Sequence, residues 1–157
     1  MTFDSYVTRR RFLSITATSA VLAGCIEEDE SGLSGEYTSE DFLDVEPDYG
    51  DWFANLSDFE GTLDLRHYDD VRIAVGAAGG LRFAPVAIQV TSGTRIVWEW
   101  TGRGGEHDVV EVNGAFESPL ETEAGFRFEQ VLHESGHYMY SCIPHDHMGM
   151  RGAVVIE

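Results

Sequence analysis

Near its C-terminus the sequence sets a thiol, an imidazole and a thioether close together. They are Cys142, His145 and Met150 in the run Tyr140-Ser141-Cys142-Ile143-Pro144-His145-Asp146-His147-Met148-Gly149-Met150. Soft sulfur suits Cu(I), and imidazole suits both oxidation states. Two histidines and a cysteine with a long axial methionine form the trigonal site of electron-transfer copper. A loop between two strands can turn all three residues onto one point. The second imidazole has to come from elsewhere, and His107 is the candidate. It follows the glycine-rich Thr101-Gly102-Arg103-Gly104-Gly105-Glu106 and opens the run Val109-Val110, as a ligand at the mouth of a strand would.

Other donors compete for these roles. Met148 offers a second thioether, but spacing from His145 favours Met150, with Gly149 permitting a tight turn before it. Met148 is expected on an apolar rim near His145. His67, His133 and His137 lie off the motif and read as ordinary surface or loop residues. His147 could bind an adventitious metal, but solvent exposure is the expectation. Zinc can occupy a site of this kind when copper is absent.

The elements that would position the ligands read as strands. Period-two alternation puts Ile73 with Val75 on one face. The same period groups Val86, Ile88 and Val90; Ile96, Trp98 and Trp100; Phe126 and Phe128; and Tyr138, Tyr140 and Cys142. Val154 to Ile156 suits a last buried strand. Turn signals fall between the runs: Gly79-Gly80, Ser92-Gly93, Gly102 to Gly105, Asn113-Gly114 and Ser135-Gly136. An all-β antiparallel sandwich or barrel of about seven to eight short strands follows. Trp98 and Trp100 read as core rather than as redox relays. Asp51 to Leu56 could form one helical turn, with Trp52 and Leu56 at i and i+4.

The N-terminus has a different logic. Paired arginines lead into Phe12-Leu13, an uncharged small and apolar stretch follows from Ile15 to Ala23, and Leu22-Ala23-Gly24-Cys25 closes it. That order reads as an export signal over residues 1–24, whose apolar run is too short to span a bilayer. The twin arginine is similar to signals that export folded proteins. Leu-Ala-Gly-Cys is similar to a lipoprotein cleavage box, in which Cys25 becomes the lipid-bearing N-terminus. Residues 25–46, rich in Glu, Asp, Ser and Gly, read as an acidic flexible tether, and the domain proper is expected over 47–157. With Cys25 acylated, Cys142 is an unpaired thiol in an exported protein, which metal ligation explains.

The chain of 157 residues carries 28 acids against 10 bases, all of the bases arginine, for a net charge of −18. Such a surface repels nucleic acid and anionic headgroups. Acids spread along the whole chain suit adaptation to saturated salt better than a local acidic docking face.

The loop Cys-x-Pro-His-x-x-x-Gly-Met followed by Gly-Ala-Val-Val resembles the copper loop of the plastocyanin family, most closely its haloarchaeal members, the halocyanins. Trp98-Glu99-Trp100-Thr101-Gly102, Gly104-Gly105-Glu106-His107-Asp108-Val109-Val110 and Pro47-Asp48-Tyr49-Gly50-Asp51-Trp52-Phe53 extend the likeness from about residue 47 to the end. The resemblance implies a Greek-key cupredoxin barrel with one type 1 copper cycling between Cu(I) and Cu(II). It places His107, His145, Cys142 and Met150 as ligands. Two departures matter. Asp108 stands where the family usually has Asn; an ionised carboxylate accepts hydrogen bonds but cannot donate, and its charge favours Cu(II). Ser141 stands where plant members have Tyr, which puts the second electron exit of those proteins in doubt.

The expectation is therefore a monomeric blue-copper electron carrier, not an enzyme. It would be lipid-anchored at Cys25 on the outer face of the cell membrane, between a redox donor and an acceptor of the membrane respiratory chain. A copper-handling lipoprotein with the same ligands is the alternative. Copper nitrite reductases and oxidases need further histidines or a second domain, and a binuclear centre needs two cysteines in the loop.

Overall fold

The computed structural model describes residues 41–157. The signal (1–24), Cys25 and residues 26–40 of the acidic segment lie outside the described residues. The described chain forms nine strands: β1 (Thr62–Asp64), β2 (Asp70–Ala77), β3 (Arg82–Ala84), β4 (Ala87–Val90), β5 (Arg95–Trp100), β6 (Val110–Glu111), β7 (Arg127–Val131), β8 (Gly136–Ser141) and β9 (Arg151–Ile156). They make two sheets, ordered β1-β4-β9-β8-β6 and β3-β2-β5-β7. The all-β sandwich expected from alternation is present, but it is mixed rather than antiparallel. β2 runs parallel to β5, and β4 runs parallel to both β1 and β9. The cause is connectivity: the chain leaves one sheet at Ala84 and enters the other at Ala87, so sequence neighbours are not always sheet neighbours.

The alternating runs send their apolar faces to one core, except for Val86, which leaves the face of Ile88 and Val90 and packs in a second cluster with Tyr49, Phe53 and Leu56. Ile73, Val75, Ile88, Val90, Ile96, Trp98, Trp100, Tyr140, Val154 and Ile156 are buried together, with Phe126, Phe128 and Tyr138 packed at the margin. A side chain of tryptophan size buries 150–250 Å², which at about 25 cal/mol per Å² is an upper bound of about 4–6 kcal/mol for each of Trp98 and Trp100. Tyr140 meets Trp98 edge-on at 5.4 Å and Phe83 at 4.9 Å. Its ring lies so close to Gly152 that a Cβ there would fall 2.3 Å from Cζ, which requires glycine on the neighbouring strand.

The outer face of the five-stranded sheet is covered by residues 49–59. Tyr49, Phe53 and Leu56 pack on Ala87, Ala153 and Val155, with Trp52 and Phe59 beside them. This segment is not the expected helical turn but a series of i→i+3 turns: Trp52 N–H to Tyr49 O, Ala54 N–H to Asp51 O and Leu56 N–H to Phe53 O. Successive tight turns let Tyr49, Phe53 and Leu56 all reach the sheet. The expected tether is also shortened. Leu43 N–H donates to Thr62 O, Asp64 N–H donates to Asp41 O, and the Glu46 carboxylate accepts Thr62 N–H at 3.0 Å. Residues 41–46 thus extend the edge of β1.

Candidate metal centre

β8 ends at Ser141, buried and paired with Arg151, so that Cys142 leaves the sheet at the rim of the core. The chain then turns through a 3-10 segment, Ile143–Met148, with Pro144 in its first turn. It stops at Gly149, whose φ of +81° is left-handed and whose N–H donates to Asp146 O. A Cβ there would also press on Leu56 Cδ1, 2.8 Å away. Cys142 N–H bonds Met150 O at 3.0 Å and Met150 N–H bonds His145 O at 3.2 Å, closing the loop on itself. Two arginines hold it from outside. Arg151 forks onto Asp146 at 2.8 and 3.0 Å and lies over the Trp52 ring, while Arg82 reaches the Met148 carbonyl at 3.1 Å.

His107 arrives from the opposite side. Its backbone exchanges both hydrogen bonds with Glu121, and Trp100 Nε1–H donates to the His107 and Glu121 carbonyls. Its ring Nε2–H donates to Arg103 O at 2.7 Å, which leaves the Nδ1 lone pair free. Nδ1 of His107 lies 3.6 Å from Cys142 Sγ, and Nδ1 of His145 lies 3.4 Å from the same sulfur. The three donor atoms are all within 4.8 Å of one another. The structure thus brings together His107, Cys142 and His145, and Met150, itself buried, closes the loop that carries the last two. Exposure is 0% for His107, Cys142 and Met150, while His145 is half-buried.

This donor set fits copper. One thiolate, two imidazoles and an apolar shell match a soft, redox-active ion, and Nδ1 of His107 is already the unprotonated nitrogen of its ring. Burial pushes the Cys142 thiol up to about 11, with the Asp108 charge adding to the rise. At neutral pH the metal-free site therefore holds the thiol, and a metal binding as thiolate displaces that proton. His145 goes the other way: desolvation, then the neighbouring His107 and His147, lower it, so it is a free base at neutral pH.

Asp108 keeps the tie between the two ligand loops in spite of replacing Asn, because its Oδ1 accepts Ile143 N–H at 2.7 Å. Only the acceptor half of the amide is needed for that bond. Met148 is 47% exposed and His67, His133, His137 and His147 are all exposed, as sequence spacing suggests. Sequence reading missed the supports under His107: the Trp100 indole, the Arg103 carbonyl, and the contact of Gly80 with Gly104. A Cβ on Gly104 would lie 1.9 Å from Gly80 O. The glycine-rich runs at 79–80 and 102–105 were the available signal, but they read as turns.

Residues 70–157 match the model of the copper binding proteins of the plastocyanin/azurin family. The chain belongs to that family. Halocyanin of Natronomonas pharaonis is 38% identical over 162 residues, covering 96% of this chain and 98% of that protein. Among solved structures, a mutant plastocyanin of fern is similar at 20% identity, covering 55% of this chain and all of that one, with a TM-score of 0.49. A purple cupredoxin from Nitrosopumilus maritimus is similar at 27% identity, covering 56% and 100%, with a TM-score of 0.47. Among its described residues the chain sets one such donor cluster, His107, Cys142 and His145.

Proposed function

We propose that this protein is a one-electron carrier whose type 1 copper is held by His107, Cys142, His145 and Met150. The single observation that carries the reading is the convergence of Cys142 Sγ with Nδ1 of His107 and of His145 at 3.6 and 3.4 Å. When bound, copper supplies a Cu(I)/Cu(II) couple. The chain supplies a cage that does not need to move: Asp108 ties the two loops, Arg151 and Arg82 clamp the Met-bearing loop, and Arg103 O fixes the His107 ring. Donors held in place by such contacts change little between oxidation states, which keeps exchange fast. His145 is the one donor of the cluster open to solvent. Ile143, 59% exposed, Pro144 and Met148 surround it with apolar surface suited to brief docking of a redox donor or acceptor.

The axial role is tested by two substitutions. Met150→Gln should change both colour and potential, because the axial ligand tunes each. Met148→Gln should leave both unchanged and alter only rates with a protein partner. Voltammetry of the two variants decides; the opposite assignment of effects would give the axial role to Met148.

The same reading places the carrier on the outer face of the cell membrane, anchored by lipid at Cys25, with partners in the respiratory chain. Its support is the order of residues 8–25 in the sequence. Mass spectrometry of protein taken from its own membranes should show a chain beginning at a modified Cys25, with two or more acyl chains, since one gives marginal binding. An unmodified chain in the soluble external fraction would refute the anchor.

A further inference from the structure

We propose that Thr101 is a positioning residue for the metal, acting through the Arg103 carbonyl on the His107 ring. The proposal rests on the reading of His107 as a ligand. Thr101 stands one residue beyond β5, where its N–H donates to Val75 O at 2.9 Å. Its hydroxyl donates to Gly76 O at 2.8 Å and accepts Arg103 N–H at 3.2 Å. That pair of bonds anchors the turn at 101–103 to the end of β2. The turn in turn aims Arg103 O at His107 Nε2, 2.7 Å away.

The surrounding glycines show that the fit is close. Gly76 has φ +87°, and a Cβ there would lie 2.6 Å from Arg103 O, 2.7 Å from Thr101 Oγ1 and 3.2 Å from His107 Nε2. Gly104, on the far side of Arg103, has its backbone against Gly80. The peptide unit that carries Arg103 O is thus pressed between two glycine contacts, and Thr101 Oγ1 holds the unit before it by accepting Arg103 N–H. A histidine with one nitrogen on copper is oriented, and made more basic, by the acceptor on its other nitrogen. Without the threonine hydroxyl, Arg103 N–H and Gly76 O lose their partner and the carbonyl loses its aim. His107 then donates less electron density, and Cu(II), the harder ion, loses more affinity than Cu(I).

The test compares Thr101→Val, which keeps shape and removes the hydroxyl, with Thr101→Ser, which keeps the hydroxyl. The first readout is solvent exchange of the His107 Nε2–H by NMR in Zn(II)-loaded protein. The second is the ratio of Cu(II) to Cu(I) affinity. In the valine variant exchange should be about tenfold faster, the factor that one lost hydrogen bond of ordinary strength carries. The affinity ratio should fall about tenfold, equivalent to a rise of about 59 mV for a one-electron couple. The serine variant should stay within about twofold of the parent on both. A valine variant matching the parent on both readouts, or a serine variant matching valine, overturns the proposal. Should the valine variant fail to fold, the parent protein decides. A slowly exchanging Nε2–H with coupling across the bond to the Arg103 carbonyl supports the proposal, and exchange at the rate of an exposed imidazole overturns it. The zinc readout is independent of redox activity, so failure of the carrier reading and failure of this inference are seen separately.

Discussion

Replacing Cys142 with serine should erase the visible thiolate-to-copper band and the reversible couple together, while the sandwich stays folded. Cys142 is fully buried, and its sulfur is the atom on which both histidine nitrogens converge. It is also the one cysteine among the described residues, so no neighbouring thiol can replace it. A serine hydroxyl is a hard donor with a far higher pKa, and it cannot supply the soft anionic sulfur that gives such copper its colour. The cost to the fold is bounded: a hydroxyl in an apolar site costs about 1–3 kcal/mol by protein mutational measures, against a typical domain stability of about 5–15 kcal/mol. Circular dichroism should therefore report an intact β structure in a colourless protein. A blue, redox-active serine variant would remove Cys142 from the site.

The second large effect should come from salt. Twenty-eight acids face ten arginines, and six of the seven arginines among the described residues already hold a carboxylate. The chain has few cations left with which to offset its own repulsion, so the offset has to come from the solvent. The Debye length falls from about 10 Å at 0.1 M to about 3 Å at 1 M, shorter than the spacing of most surface charges. Molar salt also weakens the ion pairs, but exposed pairs contribute only about 0–1 kcal/mol each, so relief of repulsion wins. Each kcal/mol gained raises Tm by about 2–4 °C in a chain of this size, and a rise of at least about 10 °C between dilute buffer and molar salt is expected by calorimetry. Exchange with a partner should persist at molar salt. A protein equally stable in dilute buffer that loses its partner as salt rises would assign the acids to docking instead.

Much of this was legible in the chain before folding. The nine-residue stretch from Cys142 to Met150, with His145 inside it, carries the ligand loop, because the short 3-10 turn that compacts it is local. Alternation at Ile96, Trp98 and Trp100 carries the core, although Val97 on the other face of the strand is buried as well. What was hidden is non-local. Which strands pair in parallel depends on where the chain crosses between sheets, and period two is blind to direction. The supports of His107 are backbone atoms, Arg103 O above all, and a carbonyl leaves no mark in a sequence. Asp51 to Leu56 read as a helical turn because Trp52 and Leu56 are four apart, yet both pack on one sheet face. The end of the acidic segment read as loose because composition says nothing of Phe42 bridging Leu63.

The most direct test of the central claim is a titration of metal-free protein with Cu(II), followed by visible spectroscopy through one cycle of reductant and oxidant. The account predicts an intense band that saturates at one copper per chain, bleaches with one electron and returns in full on reoxidation. Copper that binds without colour, or colour that one electron bleaches and no oxidant restores, would contradict it.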